Sequence, residues 1–234
     1  MIILSHSAIS EAIVDPPFLQ SNVCPVCRCL VRDKTVWIEQ LHGTAFLINS
    51  TGYFVTASHV LRKGEIDIQE NGGQLCVIPT QAIDGKPVTL AYPIFAMEHA
   101  PASFDISVIR TSYECATFFR LGQRDVEVWQ EVATLGYPMS VTHKTAEEYR
   151  VRQRGHRGYV QRWIRAGEGV FDSPSSFELS FPVTRGLSGA PLFIHQRDNS
   201  VLVIGVCVGS LSTESVDYES IIVEEGGQRS RKRR

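Results

Sequence analysis

A chain of 234 residues, 43% of them hydrophobic, is long enough for one large all-β unit or for two small barrels sharing an interface. Its net charge of −2 supplies no global basic field, which argues against nucleic acid as a partner. No segment approaches the roughly 18 consecutive apolar residues that span a membrane, so no membrane association is expected.

The first twenty residues carry Glu11 and Asp15, with no basic residue before the first apolar stretch. A secretory leader has the reverse pattern, so a cytoplasmic location is expected. Asp15-Pro16-Pro17 breaks any helix. Next comes Cys24-Pro25-Val26-Cys27-Arg28-Cys29. A C-x-x-C is half of a structural zinc site, with Cys29 as a third ligand. No second pair accompanies it, so His6 or His42 would have to supply the fourth. Redox chemistry is another reading, and structural thiols a third. Cys76, Cys115 and Cys207 stand in apolar, strand-like settings, and without a leader all six cysteines are read as reduced. No cofactor is expected.

Residues 31–39 read as a strand, with Val36 and Ile38 on one side and Trp37 on the other. Two apolar runs, 45–48 and 53–56, flank Asn49-Ser50-Thr51-Gly52 and predict a β-hairpin. His59 follows directly. A turn at Arg62-Lys63-Gly64 precedes short strands over 66–68, 75–78 and 88–91. Residues 92–104 form a connector with two prolines. It delivers Asp105 at the start of F-D-I-S-V-I-R, where a carboxylate at the edge of a core needs a partner.

Residues 118–121 begin the crossing to a second half, and 126–135 lead to Gly136-Tyr137-Pro138. Residues 139–157 read as a loop holding Lys144, Arg150, Arg152, Arg154 and Arg157. It is either a solvated basic loop or a docking site for an acidic partner or substrate. Strands follow over 158–164, 177–181, 190–194 and 201–208. Repeated short strands with turn signals between them predict an all-β sandwich or barrel. The glycine-rich, basic end, 226–234, is expected to be disordered.

Residues 184–193 read T-R-G-L-S-G-A-P-L-F. Ser188, between Gly186 and Gly189, is a candidate nucleophile that needs a base within hydrogen-bond reach. The glycines allow a tight turn in which the Gly186 and Ser188 amides point at one developing oxyanion. An ordinary glycine turn before a strand is the plain alternative. A base and an orienting acid upstream favour the nucleophile, and His59 and Asp105 stand there.

The order His59, Asp105, Ser188, and the runs T-A-S-H-V, F-D-I-S-V-I and G-L-S-G-A-P, resemble the trypsin-like (chymotrypsin-fold) serine peptidases. The resemblance implies an all-β fold of two six-stranded antiparallel β-barrels with the active site between them. Residues 35–120 would form the first barrel, carrying His59 and Asp105, and 121–225 the second, carrying Ser188. Residues 1–34 would be an N-terminal extension and 226–234 a tail. Ser188 would attack the substrate carbonyl, His59 would carry its proton, and Asp105 would orient His59. The other histidines are read as surface or structural.

Two departures refine the resemblance. Leu187 stands where zymogen-type members have an aspartate, and no Ile-Val-Gly-Gly sequence precedes the hairpin. The chain is therefore more similar to HtrA-type bacterial peptidases, without their downstream peptide-binding domain, and no activation by N-terminal cleavage is expected. The family register also places Pro182 near the base of the primary pocket with Val183 beside it, which implies an apolar preference. Val208 and Gly209 would border the cleft, where substrate backbone pairs as an added strand. The implied function is an intracellular serine endopeptidase acting on a protein or peptide substrate, with a regulatory protein partner. A catalytically idle peptidase fold used as a binding module is the alternative, and a zinc- or nucleic-acid-associated regulator a third reading.

Overall fold

A computed structural model describes residues 17–32, 35–83, 86–123, 125–145, 149–168, 175–196, 200–209, 219–223 and 229–233. Helix α1 (Pro17–Asn22) opens the described chain. Strand β1 (Val23–Arg32) pairs antiparallel with β2 (Thr35–Leu47), and β2 pairs with β3 (Tyr53–Ala57). The expected hairpin is therefore present. Its turn is held by Asn49 Oδ1, which accepts from the Thr51 and Tyr53 amides, each at 3.0 Å.

Helix α2 (Ser58–Asn71) comes next. It replaces the turn expected at 62–64 and the strand expected at 66–68. Gly64 is there for closeness rather than for a turn. A Cβ at that position would meet the Leu75 side chain at 2.7 Å. Strands β4 (Gln74–Val77), β5 (Thr80–Ile83), β6 (Lys86–Thr89), β7 (Tyr92–Pro93), β8 (Ala96–His99) and β9 (Ile106–Arg110) complete the first half. Its main sheet has seven strands in the order β7-β4-β1-β2-β3-β9-β8.

Residues 23–32 thus form a strand within the first sheet. Every residue from Val23 to Cys29 is buried, so the run lacks the two-residue alternation of a half-exposed strand, and Pro25 disguises it further. Residues 92–104 contain β7, β8 and a 3-10 turn, Ala102–Phe104, that delivers Asp105.

The second half contains β10 (Arg120–Leu121), β11 (Glu131–Gly136), β12 (His143–Lys144), β13 (Tyr149–Arg150), β14 (Arg154–Ile164), β15 (Ser176–Leu179), β16 (Pro191–His195) and β17 (Val201–Val206). Its sheet has six strands in the order β10-β17-β16-β11-β14-β15. The basic stretch 139–157 is not all loop, since β12 and β13 form a small hairpin and 154–157 belong to β14. Neither sheet closes into a barrel, and the β10–β17 pair is parallel. The all-β architecture stands with these corrections.

One cluster joins the halves. Phe119 meets Phe46 at 5.8 Å from the first half and Phe193 at 6.3 Å from the second. A second cluster lies between α2 and the first sheet, and a third inside the second half. The end of the chain also departs from expectation. Strand β18 (Glu219–Val223) pairs with β19 (Arg229–Arg233), and Glu219 stands opposite Arg233. The β-branched Ile221, Ile222 and Val223 favour strand there. No helix among the described residues is long and apolar enough to cross a membrane.

Candidate active site

Strand register brings His59 to Asp105. In the β3–β9 pair Thr56 stands opposite Ser107 and Ala57 opposite Ile106. One step further, the Ser58 amide donates to the Asp105 carbonyl at 3.0 Å. The His59 amide donates to Asp105 Oδ1 at 2.9 Å, and His59 Nδ1 meets Oδ2 at 2.6 Å. An ionised carboxylate can only accept, so Nδ1 carries the proton and Nε2 of the neutral ring is an acceptor. Partial burial pushes the Asp105 carboxyl up. The hydrogen bond and charge of His59, its backbone amide and the charge of Arg62 outweigh burial, and the carboxyl sits below its ordinary range. Below this pair, Ser58 Oγ meets Ser107 Oγ at 2.7 Å, and Ser107 Oγ meets His99 Nδ1 at 2.6 Å.

Ser188 lies in the turn before β16. Leu187 N–H donates to the Thr184 carbonyl and Ala190 N–H to the Leu187 carbonyl. Gly186 and Gly189 adopt φ of 96° and 86°, the left-handed region that side chains resist. A Cβ on Gly189 would also meet the Thr44 carbonyl at 2.0 Å and Thr56 Oγ1 at 2.3 Å. That closeness presses the Ser188 turn against the end of β3, two residues before His59. The Arg185 carbonyl is turned away to accept from the Met139 amide at 2.8 Å. The amides of Gly186 and Ser188 meet no acceptor among the described residues. A pair of unused amides beside a serine can hold an oxyanion.

Thr44 is a residue the sequence reading missed. Its amide donates to the Ser188 carbonyl at 2.8 Å, and its Oγ1 donates to the Gly186 carbonyl at 2.8 Å and accepts from the Tyr137 amide at 3.0 Å. One threonine on β2 thus ties the first half to both ends of the nucleophile turn. Only its place beside Gly43 at the head of the hairpin signalled it.

The other expected site residues are placed as follows. Pro182 is exposed, and Val183 is half-buried against the cluster that holds Leu187. Val208 and Gly209 are exposed just beyond β17, which ends at Val206 rather than Val208. Cys207 exchanges hydrogen bonds with the nucleophile turn through Gly189 N–H and the Ala190 carbonyl.

Cys24, Cys27 and Cys29 do not converge. Cys24 belongs to the cluster under α2, whereas Cys27 and Cys29 face the inter-half cluster, because side chains alternate faces along β1 and an odd spacing separates Cys24 from the other two. No group of three or more potential metal ligands occurs among the described residues. All six cysteines carry free thiols, and burial pushes those of Cys24 and Cys27 well up. His42 is engaged elsewhere, with Nε2 3.0 Å from Asp67 Oδ2, which also accepts from Arg28 Nε at 2.8 Å. His6 lies outside the described residues.

The Trypsin-like peptidase domain matches residues 43–206, a span that holds His59, Asp105 and Ser188. The chain belongs to the trypsin-like peptidase family. No curated protein matches it in sequence. Among solved structures this family member is similar to the HtrA-type protease AlgW in a variant form with a decapeptide, at a TM-score of 0.55 and 13% identity, covering 85% of this chain and 57% of that one. It is similar to the MamO protease domain from Magnetospirillum magneticum (0.52, 13%, covering 92% and 91%). It is also similar to Rv3671c from M. tuberculosis H37Rv in an inactive mutant form (0.51, 19%, covering 87% and 86%). The family member spans 47% of the AlgW chain bound to a tripeptide, about half its length. These likenesses are of fold.

Proposed function

We propose that the chain is an active serine endopeptidase that cuts peptide bonds through a His59/Asp105/Ser188 triad. The observation that carries this reading is the double contact of Asp105 with His59, which leaves Nε2 as a base. Ser188 Oγ attacks the substrate carbonyl while Nε2 takes its proton. The oxyanion that forms accepts hydrogen bonds from the Gly186 and Ser188 amides. The tetrahedral adduct collapses to an acyl-enzyme as His59 returns the proton to the leaving amine. Water, deprotonated by His59, then releases the acid and restores Ser188.

Leu187 is fully buried and apolar. It offers no carboxylate for a newly cut N-terminal ammonium, which supports a peptidase not activated by N-terminal cleavage. The exposed Pro182, the half-buried Val183 and the edge at Val208 and Gly209 form the substrate-binding surface in this reading. Six free thiols support a reducing, cytoplasmic setting. The substrate is a protein or peptide, a dedicated one, and a regulatory protein controls access to it.

The test is digestion of an internally quenched peptide library by the natural chain and by Ser188→Ala and His59→Ala. Loss of hydrolysis by at least about 10⁴-fold in both variants is expected. Cleavage that survives Ser188→Ala undiminished contradicts the reading.

A further inference from the structure

The described residues of 121–209 hold eight lysines and arginines against five aspartates and glutamates. Glu147 and Glu148 lie outside the described residues. The basic residues divide by position. Arg157 and Arg162, well along β14, meet Glu131 and Glu178. Arg152, Arg154 and Arg185 are exposed and meet no carboxylate among the described residues.

Two of these lie toward the nucleophile turn. Arg185 is in the turn itself, three residues before Ser188, and its carbonyl is fastened to Met139. Arg154 stands opposite Gly136 in the β11–β14 pair, and Gly136 touches Leu187 and Ala190. Exposed guanidiniums without a partner match a carboxylate.

We propose that Arg154 and Arg185, with Arg152 two residues along the chain from Arg154, bind aspartate or glutamate residues of the polypeptide substrate close to the bond that is cut. This rests on the peptidase reading and names its substrate class. An acidic flank would be drawn to the cleft and its register fixed there, with the main effect on association rate and specificity.

The test uses fluorescent peptides bound to the Ser188→Ala chain, so that cleavage does not intervene. An Asp/Glu-containing peptide is compared with its Asn/Gln counterpart and with a single-stranded oligonucleotide of equal charge. The acidic peptide is expected to bind about fivefold tighter than the amide peptide at low salt, as two or three exposed charge pairs allow. The advantage shrinks at about 0.5 M salt and disappears in Arg154→Gln/Arg185→Gln. Equal affinity for the two peptides overturns the proposal, as does an oligonucleotide that binds more tightly through the same arginines. Fluorophosphonate labelling of the natural chain is read separately. A labelled chain without acidic preference overturns this proposal alone. An unlabelled chain that keeps the preference overturns the peptidase reading.

Discussion

Asp105 takes two hydrogen bonds from one histidine, and they outweigh the cost of its partial burial. Its folded pKa lies below the unfolded value, so its ionised form contributes stability above about pH 4, and the contribution is lost as pH falls through the folded pKa. Asp105→Asn is expected to lower peptide hydrolysis by about 10⁴-fold with the fold retained, because the amide no longer imposes the productive tautomer. Urea unfolding of natural chain and variant should differ at neutral pH and converge as pH drops below about 4. A gap that widens toward acid would contradict the assignment. Thr44 supplies a second residue-scale prediction. Thr44→Val leaves the Tyr137 amide and the Gly186 carbonyl without their partner. A cost of about 2 kcal/mol is expected in the same unfolding assay, with slower hydrolysis because the nucleophile turn loses its tie.

At the scale of elements, the nucleophile turn depends on two residues without side chains. Gly189→Ala places a Cβ 2.0 Å from the Thr44 carbonyl at a φ of 86°. It should abolish hydrolysis and cost about 2 kcal/mol or more in stability, and a fully active Gly189→Ala would refute the close packing of turn on hairpin. The hairpin and the nucleophile turn were legible in the sequence because turn chemistry is local. Asn49 and Gly52 mark one, Gly186 and Gly189 the other. Strand β1 and helix α2 were not legible. Buried on both faces, β1 shows no alternation, and its Pro25 reads as a breaker. In α2, Arg62-Lys63-Gly64 reads as a turn, yet Gly64 serves contact with Leu75, a residue eleven positions away that no local pattern reveals.

At the scale of the whole molecule, the two halves share one aromatic bridge at Phe119, and five of the six cysteines are buried in the cores. Iodoacetamide on the folded chain should therefore modify Cys115 alone, and all six after unfolding, by intact-mass measurement. Rapid native modification at Cys27 or Cys29 would contradict the packing of β1. The two-half, all-β plan was legible because three motifs fell in one order along the chain. Strand number and sheet closure were not, since they depend on long-range pairing such as β10 with β17. In the proposed function Ser188 is an activated nucleophile served by His59 and Asp105. The most direct measurement is labelling with a fluorophosphonate, followed by peptide mapping, on the natural chain and on Ser188→Ala. A phosphonyl adduct on Ser188, and none in the variant, is the predicted result. No adduct on the natural chain, or an adduct on another serine that persists in Ser188→Ala, would contradict it.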